Sequence, residues 1–185
     1  MLILNVPITQ GQGQEQYVMN TETKNWCRFT GWQANCWVLY EDRIYFGSNN
    51  RVAIAWDSYA DAGTAINGTI LQAFNDYGRQ GKSKHFVRMR PTLYSNGSPS
   101  IQADIKVDFD QSAPSSNLNT VPVQGALWGV DLWDIGQWGS DRALINNWQG
   151  AAAVGYWGAI RLASSTNGFF LEHVATEVVF EGGTT

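Results

Sequence analysis

Short apolar runs alternate with turn residues from Tyr17 to Asp57. The runs are rich in Val, Ile, Tyr, Phe and Trp, and Asn, Asp, Gly and Ser separate them at close intervals. This pattern is typical of consecutive antiparallel strands. It predicts one antiparallel sheet over residues 17–57, a length close to the roughly 40–50 residues of a four-stranded propeller blade.

Strict alternation marks the clearest strand, Ile101–Phe109, in which every second residue is apolar. Such a strand places one face on a core and the other in solvent. Another strand is predicted at His85–Tyr94, where Pro91 is expected at a sheet edge or a bulge because it has no N–H for a ladder. Between the two strands, Asn96-Gly97 predicts a tight turn.

The last part of the chain predicts two long strands, Ala151–Ala163 and Phe169–Phe180, joined by a hairpin at Asn167-Gly168. At the other end, Leu2–Val6 also has the composition of a strand. Thr69–Tyr77 fits the spacing of a helix as well as that of a strand, and the strand is favoured.

These elements predict an all-β protein in two parts. Residues 1–60 are expected to form a propeller-blade-like antiparallel sheet, and residues 61–185 an antiparallel β-sandwich-like domain. One blade does not close a propeller, and Met1 leads directly into strand-like sequence. We therefore expect a chain that begins partway through a larger protein, with the missing blades upstream or in a partner chain.

The composition is that of a folded protein, since 44% of the 185 residues are apolar and 15% are charged. The net charge of −4 is weak evidence against a surface that grips nucleic acid. An acidic wall would nevertheless let nucleic acid slide past without adhering. The first residues, MLILNVPITQ, have neither a basic region nor a long apolar run, so we expect no signal peptide and no membrane segment.

Cys27 and Cys36 lie on successive predicted strands. A disulfide between neighbours across a sheet is sterically feasible. Two buried thiols in a reducing compartment are favoured, because no signal peptide accompanies them. Both interpretations stay open at the level of sequence.

One basic stretch, RQGKSKHFVRMR, interrupts this acidic chain. It contains five Lys and Arg residues and no acid: Arg79, Lys82, Lys84, Arg88 and Arg90. A solvated loop and strand edge is the simpler interpretation of such a run. The alternative is an electrostatic contact with nucleic acid or with an acidic partner subunit.

Nine Trp residues are unusual in a chain of this length, and rings that fill a β core or subunit contacts explain them best. Four of them form a candidate aromatic contact platform: Trp128, Trp133, Trp138 and Trp148. An exposed row of these rings would indicate an alternative function, a carbohydrate-binding, lectin-like module. Asp131 and Asp134 beside them could act as the acid/base pair of a glycosidase, although acids that cap loops are the simpler explanation.

No motif indicates a cofactor or a catalytic centre. Asp57 and Asp61 lack the spacing of an EF-hand loop, and neither His85 nor His173 has a second ligand-type residue at metal spacing. The sequence also has no phosphate-binding glycine motif and no nucleophile elbow. We therefore expect no cofactor and no metal.

Three segments carry a resemblance to a known family: YVMNTETKNWCRFTGWQANCWVLYEDRIYFG, AWDSYADAGTAI and QAFNDYGRQGKSKHFVRMRP. They resemble the C-terminal part of the tail nozzle, or packaged-DNA-stabilisation, proteins of short-tailed bacteriophages. The resemblance covers about residues 2–110 and consists of strands, turns and particular aromatic residues.

The resemblance implies a β-propeller-bearing subunit of the virion tail, made in the cytoplasm of the bacterial host. Several copies would form a ring below the portal and adaptor that plugs and then guides the DNA. The implied partners are further copies of the chain, other tail or head–tail connector proteins, and DNA passing without sequence preference. The family has no catalytic residues to transfer, so we expect a non-enzymatic structural protein.

Overall fold

The described residues of a computed structural model, 1–9, 13–120 and 142–183, contain thirteen β-strands and no helix. The all-β prediction is confirmed. Contacts divide the chain into two compact units, Met1–Asp57 and Ser58–Thr185. Within the described ranges, no helix has the length and apolar character needed to span a membrane.

The described residues of the first unit form six strands in two antiparallel sheets of three, ordered β1-β2-β3 and β4-β5-β6. The bounds are β1 Leu2–Pro7, β2 Gln14–Met19, β3 Trp26–Phe29, β4 Cys36–Tyr40, β5 Arg43–Ser48 and β6 Arg51–Ala55. The single sheet predicted over residues 17–57 is therefore wrong, because β3 and β4 are neighbours in sequence but belong to different sheets.

The segment between β3 and β4 explains this division. Gly31 and Gln33 have φ values of 90° and 48°, so the chain passes through two left-handed residues and does not close a two-residue hairpin. The segment turns inward instead and fully buries Ala34. The ring of Trp32 stacks on that of Phe46 with centroids 5.2 Å apart. Trp32 thus fills a core, the role expected for most of the Trp residues.

The described residues of the second unit form seven strands. Their bounds are β7 Ile66–Leu71, β8 Lys84–Ser95, β9 Ser100–Val107, β10 Ala143–Ile145, β11 Gln149–Gly155, β12 Gly158–Thr166 and β13 Leu171–Gly182. In one sheet, β13 pairs along the whole of β8, while β10 and β11 pair with the two ends of its other edge. The other sheet has the order β7-β12-β9.

A hydrophobic core lies between these two sheets. Phe86 and Met89 of β8 pack against residues of β9 and β12, the strands of the opposite sheet. The buried residues from those two strands are Ala103, Ile105, Ile160 and Leu162. Two antiparallel sheets packed around a common core are a β-sandwich, which confirms the sandwich-like fold predicted for this part of the chain.

The alternation predicted for Ile101–Phe109 holds within β9. Ile101, Ala103 and Ile105 are buried, while the residues between them face outward. Phe109 lies beyond the strand, has φ of 67° and is exposed, so the prediction fails at its last position. The strand favoured at Thr69–Tyr77 is present only as far as Leu71, where β7 ends.

Pro91 lies in β8, the central strand of its sheet, and is fully buried. The prediction that Pro91 lies in an edge strand is therefore wrong, because β8 has pairing strands on both of its sides. However, β11 pairs with β8 only as far as Met89, and β10 begins pairing at Leu93. Pro91 therefore lies in the gap between these two partners, where a residue without an N–H is tolerated.

The predicted hairpin at Asn167-Gly168 is wrong, because β12 and β13 belong to different sheets. The turn at Asn96-Gly97 likewise connects strands of different sheets, β8 and β9. A hydrogen bond joins the two connections, because the N–H of Phe170 donates to Oδ1 of Asn96 at 2.9 Å. A Cβ atom on Gly97 would lie 2.6 Å from Cγ of Phe169, so this contact requires glycine.

The strand predicted at Ala151–Ala163 is also divided, since β11 ends at Gly155 and β12 begins at Gly158. The carboxylate of Asp108 stabilises the turn that separates the two strands. Its Oδ1 atom accepts hydrogen bonds from the backbone N–H groups of Tyr156 and Trp157 at 2.8 and 3.0 Å. This turn passes the chain from one layer of the sandwich to the other.

Candidate functional site

The basic run does not form one exposed strip, because Lys84 is fully buried. Its Nζ atom donates to the backbone carbonyls of Arg79, Lys82 and Tyr156 at 2.9, 2.9 and 2.7 Å. Three acceptors replace the water that the ammonium group loses on burial. Lys84 therefore holds loops together, and the prediction of an external contact is wrong for this residue.

Arg88 and Arg90 occupy consecutive outward positions of β8, and both side chains lie over the ring of Trp148. Their Cζ atoms lie 4.8 and 4.7 Å from the centroid of the Trp148 ring. These are cation–π distances. The structure thus brings one ring of the predicted platform against two residues of the basic run, which form an arginine–tryptophan cluster (Arg88, Arg90 and Trp148).

Acidic residues of β13 accompany this cluster. Nη2 of Arg90 lies 2.7 Å from Oε2 of Glu177, which is opposite it in the strand register. Arg142, directly before β10, forms an ion pair with Glu172 of β13. Nδ1 of His85 lies 3.9 Å from Oε2 of Glu181. The carboxylates of Glu177 and Glu172 therefore weaken the attraction of Arg90 and Arg142 for phosphate groups.

Arg79 and Lys82 are exposed in the loop before β8. The guanidinium group of Arg79 lies against the backbone of Gly182, close to where a Cβ atom would stand. Of the five predicted contact residues, only Lys84 is excluded by burial.

Trp148 is 42% exposed, but two guanidinium groups lie within 5 Å of its ring centroid. The other three rings of the predicted platform, Trp128, Trp133 and Trp138, lie outside the described residues. The same is true of the candidate acid pair, Asp131 and Asp134.

Cys27 and Cys36 are free and exposed, on strands of different sheets. Both the disulfide and the two buried thiols considered from sequence are therefore wrong. Partial burial raises the pKa of the Cys27 thiol, and its Sγ atom donates to the carbonyl of Val18 at 3.4 Å. This environment disfavours the reactive thiolate.

His173 is half-buried, and burial lowers its pKa. Its Nε2 atom lies 2.8 Å from Oγ1 of Thr176. Within the described part of the chain, no three His, Cys, Asp or Glu side chains are grouped so as to hold a metal ion.

A second candidate surface is the outer face of the β1-β2-β3 sheet. Leu2, Leu4 and Val6 alternate with the inward residues of β1, and all three are exposed. Leu2 pairs with Met19 of β2, and Met19 pairs with Trp26 of β3, so the three side chains lie in one row on this face. Trp26 is also exposed. The inward residue Asn5 marks the opposite face, since its amide donates to the carbonyl of Ala34 at 2.8 Å. This outer face is therefore largely apolar, although Glu15 and Arg28 lie on it and form an ion pair with Oε2 and Nη1 3.4 Å apart.

Strand β4 exposes apolar side chains on both of its faces. Val38, Leu39 and Tyr40 are 58%, 68% and 61% exposed. Strand β4 lies at an edge of the β4-β5-β6 sheet. The sequence already indicated this exposure, because apolar and polar residues do not alternate in CWVLY. Both faces of the strand therefore carry apolar side chains.

No known protein-family model matches this chain. Neither a curated protein nor a solved structure matches it. The surfaces described above are therefore interpreted from their own geometry.

Proposed function

We propose that this chain is a non-enzymatic structural protein of a bacteriophage tail that works by assembling with further copies of itself. The observation that carries this proposal is the exposure of large apolar side chains on both faces of β4 and on the outer face of the β1-β2-β3 sheet. In soluble proteins, contiguous apolar surface of this kind marks contacts with other proteins.

The resemblance to tail nozzle proteins gives the assembly its proposed form, a ring below the portal and adaptor that retains or guides DNA. Such a ring needs surfaces that bind neighbouring subunits and a wall that does not bind DNA tightly. The pairing of Arg90 with Glu177, and of Arg142 with Glu172, supports the second requirement, because each carboxylate offsets a positive charge that would otherwise attract phosphate groups. Weak, salt-sensitive DNA binding is the expected behaviour.

The experiment that tests assembly is light scattering on the purified chain over a wide range of concentration. We expect the mass to rise in steps above that of one chain. A strictly monomeric chain at the highest concentration would overturn the proposal. The phage origin is tested separately by the flanking reading frames: portal or adaptor genes support it, and a polysaccharide-utilisation neighbourhood overturns it.

The same preparation tests the carbohydrate-binding alternative. A glycan array should give no signal if the exposed aromatic residues serve subunit contacts. Binding of a glycan that is lost in Trp148→Ala would favour the lectin-like module over the structural role.

A further inference from the structure

Strand β4 pairs with β5 along one edge, and no strand of the described residues pairs with its other edge. Because backbone groups point alternately to the two sides of a strand, every second residue of Cys36–Tyr40 directs its N–H and C=O groups to that unpaired edge. Proteins usually protect such an edge with a charged side chain, a proline or a bulge. None of the five residues of β4 is charged and none is proline, and its pairing with β5 has no register shift.

Leu39 shows that this edge is incomplete. Its register partner is Ile44, which packs against the core of the first unit. Because residues two apart share a face, Leu39 also lies on the same face as Trp37, another residue packed against that core. Leu39 is nevertheless 68% exposed. A core-facing leucine with this exposure lacks a neighbour beyond the edge.

We propose that the missing neighbour is β4 of a second copy of this chain, paired antiparallel about a two-fold axis at Val38. This inference rests on the self-assembly proposed above and names one of its contacts, because a two-fold contact closes at two copies and a ring needs a second kind of contact. The pairing places Leu39 opposite Trp37 of the second copy, so core-facing side chains meet core-facing side chains. It also joins the two three-stranded sheets into one sheet of six strands.

The register follows from the charges that flank β4. Centring the axis on Val38 opposes all five residues of one strand to all five of the other. Glu41 and Asp42 then lie opposite the neutral residues Asn35 and Ala34 of the second copy. Moving the axis to Leu39 would place Glu41 opposite Trp37, which would bury a carboxylate against an indole ring. A second copy is preferred as the occupant because β4 is complementary to itself in this register.

Disulfide trapping tests the pairing in the full chain. In a Cys27→Ser/Cys36→Ser background, Val38→Cys places two thiols directly across the proposed axis, where Cβ atoms are about 4.5–5.5 Å apart. We expect a disulfide-linked dimer as the main product of mild oxidation. Val52→Cys is the matched control, because Val52 is 76% exposed on β6, the other edge strand of the same sheet. It should form little disulfide-linked dimer under the same oxidation.

Val38→Lys provides the second measurement, since two ammonium groups would meet at the axis. By sedimentation, this variant should lose the dimer, while Val52→Lys should keep it. If the parent chain self-associates but Val38→Cys does not cross-link and Val38→Lys still dimerises, the β4 contact is wrong and assembly uses another surface. If the parent chain is monomeric, both this contact and the proposed function fail. Should Val38→Lys not fold, the cross-linking result alone decides.

Discussion

Nζ of Lys84 donates a hydrogen bond to the backbone carbonyl of Tyr156 at 2.7 Å, across 72 positions of the sequence. The carbonyls of Arg79 and Lys82 accept from the same atom at 2.9 Å each. One buried ammonium group therefore connects, by hydrogen bonds, the loop before β8 to the turn between β11 and β12. That turn is where the chain crosses between the layers of the sandwich.

Replacing this lysine should be costly. Lys84→Met keeps the length of the side chain but removes the donor that three part-buried carbonyls share, and each group left unsatisfied costs about 1–3 kcal/mol. Allowing for partial relaxation, we expect a loss of about 3 kcal/mol in the free energy of unfolding. Urea denaturation measures it. Lys82→Met removes an exposed lysine of the same loop and should change stability by less than about 0.5 kcal/mol. Equal effects of the two substitutions would contradict the role of Lys84.

Gly158 lies against the ring of the fully buried Phe86. A Cβ atom at this position would overlap the ring, with Cε1 at 2.9 Å. Gly158→Ala should therefore destabilise the second unit by about 1–3 kcal/mol, the usual cost of overpacking a core. Gly150→Ala, on the neighbouring strand β11, is the control, because a Cβ atom there meets nothing within 4 Å. Thermal unfolding of the two variants should differ clearly, and matching midpoints would count against the tight packing.

The arginine–tryptophan cluster should contribute to stability through cation–π attraction. For each guanidinium group at a partly exposed ring, we expect about 0.5–1 kcal/mol. A double-mutant cycle of Arg88→Ala and Trp148→Ala isolates this coupling from the other effects of each change. The matched control is a cycle of Arg88→Ala with Tyr156→Ala, another exposed aromatic residue. Its coupling should be near zero, and an equal coupling in both cycles would refute the cluster.

Asp104 should make the second unit sensitive to acid. Burial raises the pKa of this carboxyl, but hydrogen bonds from Ser116, Ser115 and Lys106 outweigh burial and hold the pKa below its ordinary value. A carboxyl with a lowered pKa in the folded state adds stability above its unfolded pKa of about 3.9, and this stability is lost as pH falls through the folded value.

The measurement is the difference in unfolding free energy between the parent chain and Asp104→Asn. At neutral pH the parent should be more stable by about 1–3 kcal/mol. The difference should shrink as pH falls below about 4. Asp42→Asn is the control, because it removes an exposed carboxylate outside the contacts with Ser115, Ser116 and Lys106. A gap between parent and Asp104→Asn that is constant with pH would show that the carboxylate charge is not involved.

Much of the strand content could be predicted from sequence, because alternation is a local signal. One face of β9 packs on the core and carries Ile101, Ala103 and Ile105. This alternation can be recognised in the sequence without knowing which strands pair with β9. Turn dipeptides were less informative. Asn167-Gly168 does turn the chain, but the dipeptide does not determine whether the flanking strands pair or enter different layers.

The candidate site was predicted only in part. A lysine between two other basic positions suggests a solvated run, and only the carbonyls of Arg79, Lys82 and Tyr156 make the burial of Lys84 favourable. The contact between Trp148 and Arg88 was not predictable either, because it depends on β11 pairing with β8. The apolar character of β4, in contrast, could be read from CWVLY directly.

By itself, then, the sequence determined that the chain is all-β, where most strands lie, and which residues of β9 face inward. The tertiary structure decided which strands share a sheet. It also decided that Lys84 is buried and hydrogen-bonded to three carbonyls, and that Val38 and Leu39 are exposed on an edge strand. The physical reason is that side-chain alternation depends on neighbours along the chain, whereas pairing and burial depend on partners supplied by distant segments.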